Sequence, residues 1–296
     1  MAKNNYSDYV NYAAKGMSNR AIARHFGVDE KTVRNGLKKI GYDRWLIVDA
    51  PDTWAFELDT PITITDDRVA VTADWHIPLL DVEYANSFIR RCREREIRTL
   101  VIGGDFFNFD SLSQYHPKQH GDSLERELKA GWQVMEALGE TFDNIYYIWG
   151  NHDARLHKTL GYTLQFKEAM RVVFGSLGDD ILSKITFSNL DHLWIEQSTG
   201  NRWYVCHPAN YTRVALSTAR TLASKYNANV ITAHAHHCAL GFASDGAKVV
   251  CEVGGLFDVS KTAYLQRSTT FPTWTQGYVL LEAGKPIVLD SPGFGG

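Results

Sequence analysis

Five short strings, each at or just beyond the end of an apolar run, carry seven side chains able to bind a metal. Asp74 and His76 lie in Ala73-Asp74-Trp75-His76, Asp105 in Gly103-Gly104-Asp105 and Asn151 in Gly150-Asn151-His152-Asp153. His207 follows in Cys206-His207-Pro208, then His234 and His236 in Ala233-His234-Ala235-His236. A short apolar run reads as a buried strand, and the turn that ends it exposes one or two polar side chains. In α/β domains such strand ends converge on one cleft even when they are far apart in sequence. The chain must therefore fold so that these five turns meet.

The rhythm between the strings fits that demand. From residue 68 onward, strands expected over 69–72, 99–102 and 144–149 alternate with helices over 81–94 and 123–138. In the first helix Ala85, Phe88, Ile89 and Cys92 share one face. This β-α-β-α-β order predicts a layered α/β domain over residues 67–296. Further strands are expected over 185–187, 192–196, 203–206, 230–232, 248–253 and 278–282, with a helix within 214–226. Residues 45–66, with Pro51 and Pro61, read as a linker merging into the edge of that domain, with short strands over 45–48 and 62–64.

Residues 1–44 form a separate, basic unit. They carry nine basic and four acidic side chains, a net of +5, which leaves 22 basic and 30 acidic on the remainder, a net of −8. Three helices are expected. The first has Tyr9, Val10 and Ala13 at helical spacing and ends at Gly16. Ser18 caps the second, with Ile22, Ala23 and Phe26. Gly27 supplies a turn, and Asp29 caps a third helix holding Val33, Leu37 and Ile40. Residues 17–34 resemble the DNA-binding helix-turn-helix of resolvases and invertases. The resemblance implies that the third helix enters the major groove. Lys31, Thr32, Arg34 and Asn35 would then face DNA, with Lys38 and Lys39 nearer the phosphates. The alternative is a small bundle that docks a protein.

The donor mix of the seven side chains suits a pair of borderline divalent cations such as Mn, Fe or Zn, with Mn first. Two such ions a few ångströms apart hydrolyse phosphate esters. The strings also resemble, in order, the Asp-x-His, Gly-Asp, Gly-Asn-His-Asp/Glu, lone His and Gly-His-x-His blocks of calcineurin-like metallophosphoesterases. The resemblance runs from about residue 68 to 290 and implies an αββα sandwich. It also implies that Asp74, His76 and His236 hold one metal, that Asn151, His207 and His234 hold the other, and that Asp105 bridges them. His152 would contact the scissile phosphate and stabilise or protonate the leaving oxygen.

Two positions depart from the family pattern, and a further pair bears on which branch the chain resembles. Asn108 stands where an Asp often orients the catalytic His, leaving that task to Asn108 itself, Asp110 or Asp153. Ala233 replaces a Gly, which matters only if φ is positive there. Phe109-Asp110 stand where Ser/Thr protein phosphatases carry Arg-Gly, which points away from that group. Arg155 is read equally as a phosphate ligand or a surface residue. His116, His120 and His157 are read as surface residues, and Trp75, Phe106 and Phe107 as core rather than base-stacking groups.

The leading expectation is a dimetal phosphodiesterase or nuclease directed to DNA by its N-terminal helix-turn-helix. The alternative is a phosphoesterase for nucleotides or cyclic nucleotides whose first unit is a docking piece. A third reading is a DNA-binding regulator with a non-catalytic metal domain. No apolar stretch approaches the roughly 20 residues that span a bilayer. The polar N-terminus carries no apolar export segment, and none of Cys92, Cys206, Cys238 and Cys251 forms a Cys-x-x-Cys pair. These features predict reduced thiols and a cytoplasmic protein.

Overall fold

Caps and apolar spacing form three helices near the N-terminus: α1 (Tyr6–Ala14), α2 (Asn19–Phe26) and α3 (Glu30–Lys39). The computed structural model describes residues 6–42, 59–113, 123–262 and 274–290. The strand expected over 45–48, and also His116 and His120, lie outside the described residues. By contacts the chain divides into two units, Met1–Leu58 and Asp59–Gly296.

In the first unit, the Ser18 hydroxyl accepts the Ala21 N–H at 3.2 Å and opens α2. The Asp29 carboxylate accepts the Thr32 N–H at 2.7 Å and the Thr32 hydroxyl at 2.8 Å, and opens α3. Caps of this kind contribute about 1 kcal/mol each. Tyr9, Ala13, Ile22, Ala23, Val33 and Leu37 form the core. Ile40, expected on that face, is instead 47% exposed. The buried place is taken by Gly36, where a Cβ would lie 2.6 Å from the Tyr6 ring and 3.1 Å from Tyr9. Glycine at this point lets α1 and α3 close on each other.

The second unit holds two mixed sheets, matching the expected sandwich. One runs, among the described residues, β12-β11-β2-β3-β4-β5 and the other β1-β6-β7-β8-β10-β9. In the first, β2 (Arg68–Thr72), β3 (Thr99–Gly103), β4 (Asn144–Ile148) and β5 (Ile185–Phe187) are parallel neighbours. Across its other edge, β11 (Gly277–Glu282) pairs antiparallel with both β2 and β12 (Lys285–Asp290). In the second, β1 (Thr63–Thr65) pairs with β6 (His192–Glu196), and β6 with β7 (Arg202–Cys206). β7 runs parallel to β8 (Asn229–Thr232), which runs parallel to β10 (Val249–Val253). β9 (Cys238–Phe242) closes that edge antiparallel to β10.

Side-chain alternation along the strands sorts the apolar residues into layers. Val69, Val71 and Val101 point one way and join Leu193, Ile195, Trp203, Val205 and Ile231 in a core shared by the two sheets. Ala70, Leu100, Ile102 and Ile145 point the other way, against α4 (Val82–Glu94), α5 (Leu124–Gly139) and α7 (Phe166–Val173), through Phe88, Met135 and Met170. On the far side of the second sheet, Tyr204, Val230 and Val250 pack on α9 (Ser217–Tyr226) through Ala219 and Ala223. Sequence reading passed over β9 and β12, both edge strands with little of the two-sided burial that marks a strand. It also passed over α6 (Asp153–Thr159), α7 and α8 (Asp179–Leu182), whose few turns give a weak periodic signal. Among the described residues no helix is long and apolar enough to cross a membrane. The four cysteines are free.

Candidate metal centre

Each of the five strings follows the carboxyl end of a strand: β2, β3 and β4 in one sheet, β7 and β8 in the other. The three in the first sheet are parallel, as are the two in the second, so their ends emerge on common edges. The turns there are sharp. Asp74, His76, Asp105, His234 and His236 all have positive φ, between 46° and 74°. Non-glycine residues rarely adopt this region, and when they do they mark sites where structure is held against local preference. Sequence reading placed His234 and His236 on one face of a strand. They lie instead beyond the end of β8, and the left-handed backbone turns both inward. Ala233 does not share that conformation, so the methyl it adds is harmless.

The seven side chains meet. Asp74 Oδ1 lies 3.1 Å from His236 Nε2 and 3.7 Å from His76 Nε2, and the two imidazole nitrogens are 3.2 Å apart. Beside them, His207 Nε2 lies 3.0 Å from Asn151 Oδ1, 3.2 Å from His234 Nδ1 and 3.4 Å from Asp105 Oδ2. That Asp105 oxygen is buried and makes no hydrogen bond among the described residues. Two clusters, Asp74-His76-His236 and Asp105-His207-His234, each bring their donor atoms within 4.8 Å. A third set of the same span joins His76, Asp105 and His152, so Asp105 is common to both sides.

The chemistry of these donors fits cations. His207 Nδ1 faces the Gly103 carbonyl oxygen at 2.9 Å, an acceptor only. Nδ1 therefore carries a proton, so Nε2 is the nitrogen whose lone pair would face the cluster once its own proton gives way to a cation, as in metal-binding histidines whose other nitrogen is anchored. Burial works against a charge on His207, but Asp105 and then Asp74 outweigh it and push its pKa up to about 10. Burial raises the Asp105 pKa, yet His207 and His152 overcome that and hold the carboxylate well below its usual range. Burial, reinforced by His207, brings His234 down to about 4. The centre thus gathers anionic and lone-pair groups that positive charge compensates.

Glycines allow this approach. A Cβ on Gly104 would lie 2.7 Å from both His207 Nδ1 and the Gly150 nitrogen, and one on Gly150 would strike the Asp105 carboxylate. Asp153 binds the same turns together. Its carboxylate accepts the N–H groups of Asp105 at 2.7 Å and Gly150 at 3.0 Å, and the Tyr147 hydroxyl at 2.8 Å. Burial, then the neighbouring Asp105, pushes the Asp153 pKa up to about 7.

His152 stands at the edge of this group, its ring centre 4.5 Å from that of His76. Its N–H donates to Asp105 Oδ1 at 2.7 Å. Its ring is oriented by the backbone carbonyl of Asn108, 2.8 Å from Nδ1. Thus neither the Asn108 amide nor a carboxylate takes the place of the family's usual Asp. Asp110 acts one step removed, by pairing with Arg155, whose Nη2 lies 3.2 Å from His152 Nε2. Burial lowers the His152 pKa; Asp105 opposes that and Arg155 adds to it.

Three neighbours, Tyr211, Trp274 and Phe257, had no sequence signal. Tyr211, 58% exposed, stands edge-on to His234 with ring centres 4.8 Å apart. Trp274 and Phe257 stand against His236 at 4.5 Å and 5.0 Å. His237 turns away and pairs with the buried Glu252 at 3.1 Å. Trp75, Phe106 and Phe107 are fully buried in the core, and half-buried His157 packs on Tyr162.

In the N-terminal unit, Lys31, Arg34, Asn35, Lys38 and Lys39 are exposed along α3. Thr32 is half-buried, and its hydroxyl is engaged by the Asp29 cap. Lys39 Nζ lies 5.7 Å from the centre of the Tyr6 ring.

Two mixed sheets between helices, with histidine and carboxylate donors at the strand ends, are the build of a metal-dependent phosphoesterase. Residues 67–289 match the family Calcineurin-like phosphoesterase, and the chain belongs to that family. Among solved structures it is similar to vacuolar protein sorting 29 of Cryptosporidium parvum, at 15% identity over 76% of this chain and 96% of that one, TM-score 0.40. It is also similar to zinc-complexed Vps29 of Entamoeba histolytica (12% identity, 75% and 98% covered, TM-score 0.39). A third similar structure is sulfate thiohydrolase SoxB of Thermus thermophilus (11% identity, 80% and 58% covered, TM-score 0.35). None of the curated proteins matches the chain in sequence.

Proposed function

We propose that the protein is a two-metal phosphodiesterase acting on nucleic acid, brought to DNA by its N-terminal helices. The observation that carries the hydrolase reading is the convergence of all seven donors on one centre, with the Asp105 carboxylate common to both sides. Asp74, His76 and His236 would hold one ion, Asn151, His207 and His234 the other, and Asp105 both. Such ions supply Lewis-acid polarisation of the phosphoryl group and activation of the attacking water; Mn suits these ligands, and Fe or Zn also fit. Asn151 gives an oxygen without charge, which limits repulsion of an anionic substrate. His207, pinned by the Gly103 carbonyl, keeps Nε2 aimed inward. His152, fixed by the Asn108 carbonyl, presents Nε2 beside the centre, where in its protonated form it can donate to a phosphoryl oxygen or pass that proton to the leaving oxygen.

A Mn-supplemented activity panel tests this reading, with nitrophenyl mono- and diesters, single- and double-stranded DNA, RNA and cyclic nucleotides. Hydrolysis of the diester and of DNA, abolished by chelation and restored by Mn, is the expected result. No turnover of any phosphate ester by fully metal-loaded protein would remove the enzymatic reading and leave that of a DNA-binding regulator.

The DNA arm rests on the net charge of +5 over residues 1–44 and on the exposed basic face of α3. Binding by the full chain is expected to weaken as salt rises, because neutralised phosphates release counterions. Replacing Lys31 and Arg34 with Glu is expected to abolish binding while leaving the helices folded, since both side chains are exposed. Fluorescence anisotropy with labelled duplex checks this. Equal binding by parent and double variant would exclude α3 as the contact.

A second reading is a nucleotide or cyclic-nucleotide phosphoesterase. It is favoured by the net charge of −8 on the remainder of the chain and by exposed Tyr211 beside His234, which offers a ring face to a base. Turnover of nucleotides but not of DNA in the same panel selects it.

A further inference from the structure

Arg155 sits in the first turn of α6, just after the Gly150-Asn151-His152-Asp153 string. Its guanidinium is held on one side only. Nη1 donates to the Asn108 carbonyl oxygen at 2.8 Å and to Asp110 Oδ1 at 2.6 Å. The same carbonyl oxygen accepts from His152 Nδ1 at 2.8 Å, so one backbone atom yokes the two side chains. Nη2 then falls 3.2 Å from His152 Nε2. The Arg155 side chain is 17% exposed and that of Asp110 25%, so the pair is largely screened from water and fixed in direction.

A carbonyl oxygen only accepts, so His152 Nδ1 carries a proton. A guanidinium only donates, so Nη2 points a hydrogen at the Nε2 lone pair. In the absence of substrate, Arg155 thus spends one Nη2 hydrogen on the His152 ring. Nη2 has a second hydrogen, and neither it nor Nε has a partner among the described residues. A planar fork clamped along one edge, with donors remaining beside a group of metal-binding side chains, is built to receive an oxyanion.

We infer that Arg155 is a substrate-binding residue: its Nη2 donates to a non-bridging oxygen of the phosphoryl group. The inference rests on the phosphoesterase reading above. Entry of phosphate exchanges the Arg155–His152 contact for one from Nη2 to the anion, while Asp110 and the Asn108 carbonyl keep the guanidinium in place.

The test is calorimetric titration of inorganic phosphate into Mn-loaded full-length protein, with metal content and melting temperature measured alongside. Arg155→Ala is expected to weaken phosphate binding on the order of 10- to 100-fold, the range for losing a charge-assisted hydrogen bond. Its two metal equivalents should be retained. Arg155→Lys keeps the charge without the fork and is expected to fall between the two; it carries the test if the alanine variant does not fold. Asp110→Asn breaks the ion pair but leaves the guanidinium, and is expected to retain most of the affinity. Phosphate affinity in Arg155→Ala within about twofold of the parent, with metal unchanged, overturns the inference. So does an Asp110→Asn loss as large as that of Arg155→Ala, since Arg155 would then be a structural pin. Absence of phosphate binding by the metal-loaded parent fails differently: it overturns the phosphoesterase reading itself.

Discussion

Asp105→Ala is expected to lower the occupancy of both metal positions together and to cut turnover by about 10³-fold or more. The charge stabilisation that bound metals supply is several kcal/mol, and each ~1.4 kcal/mol is a factor of ten in rate. Asp105 is buried, its Oδ2 faces His207 Nε2 at 3.4 Å, and its Oδ1 accepts the His152 N–H at 2.7 Å. One substitution therefore removes the charge shared by both donor clusters and loosens the turn that carries His152. Asp105→Asn separates these effects, since the amide oxygen can still accept from His152. Elemental analysis after metal loading should give close to two equivalents for the parent and clearly fewer for both variants. Retention of both ions by Asp105→Ala would end the bridging assignment.

His152→Ala should behave in the opposite way, keeping metal and losing turnover by about 10²–10⁴-fold, the usual contribution of a positioned acid or phosphate-binding group. The alanine removes only a ring whose Nδ1 is tied to the Asn108 carbonyl and whose Nε2 faces Arg155; its own backbone N–H stays on Asp105. If His152 protonates the leaving oxygen, the loss is smaller for nitrophenyl esters, whose leaving groups need little protonation, than for alkyl diesters. An equal loss on both would assign His152 to phosphoryl binding alone. A variant that also loses metal would make His152 a ligand, in keeping with its place near His76 and Asp105.

Asp105 and the other six donors were legible in the sequence. Each follows an apolar run, and apolar runs with polar ends specify strands and their terminal turns through local chemistry alone. The same locality made the caps Ser18 and Asp29 readable, together with most strands of both sheets. The three-helix start of the chain was also readable, except for its packing. There Ile40 is exposed and Gly36 is buried, because the close approach of Tyr6 and Tyr9 to α3 is a property of two helices and not of one.

What orients the reactive groups lay beyond the sequence. Asn108 drew attention through its side chain, yet it is its backbone carbonyl that holds His152 and Arg155, across 44 and 47 residues of chain. Asp153 could be seen to sit in a motif, but its grip on the Asp105 turn crosses from β4 to β3. Tyr211 carries no pattern at all and reaches His234 only because the loop after β7 folds back. The sequence alone determined which side chains could bind metal and that they lie at strand ends, because burial and turn chemistry are written residue by residue. Which atoms face one another, which turns adopt left-handed backbone and which carbonyl anchors His152 were decided only by the tertiary structure, because those contacts join segments whose separation no local preference encodes.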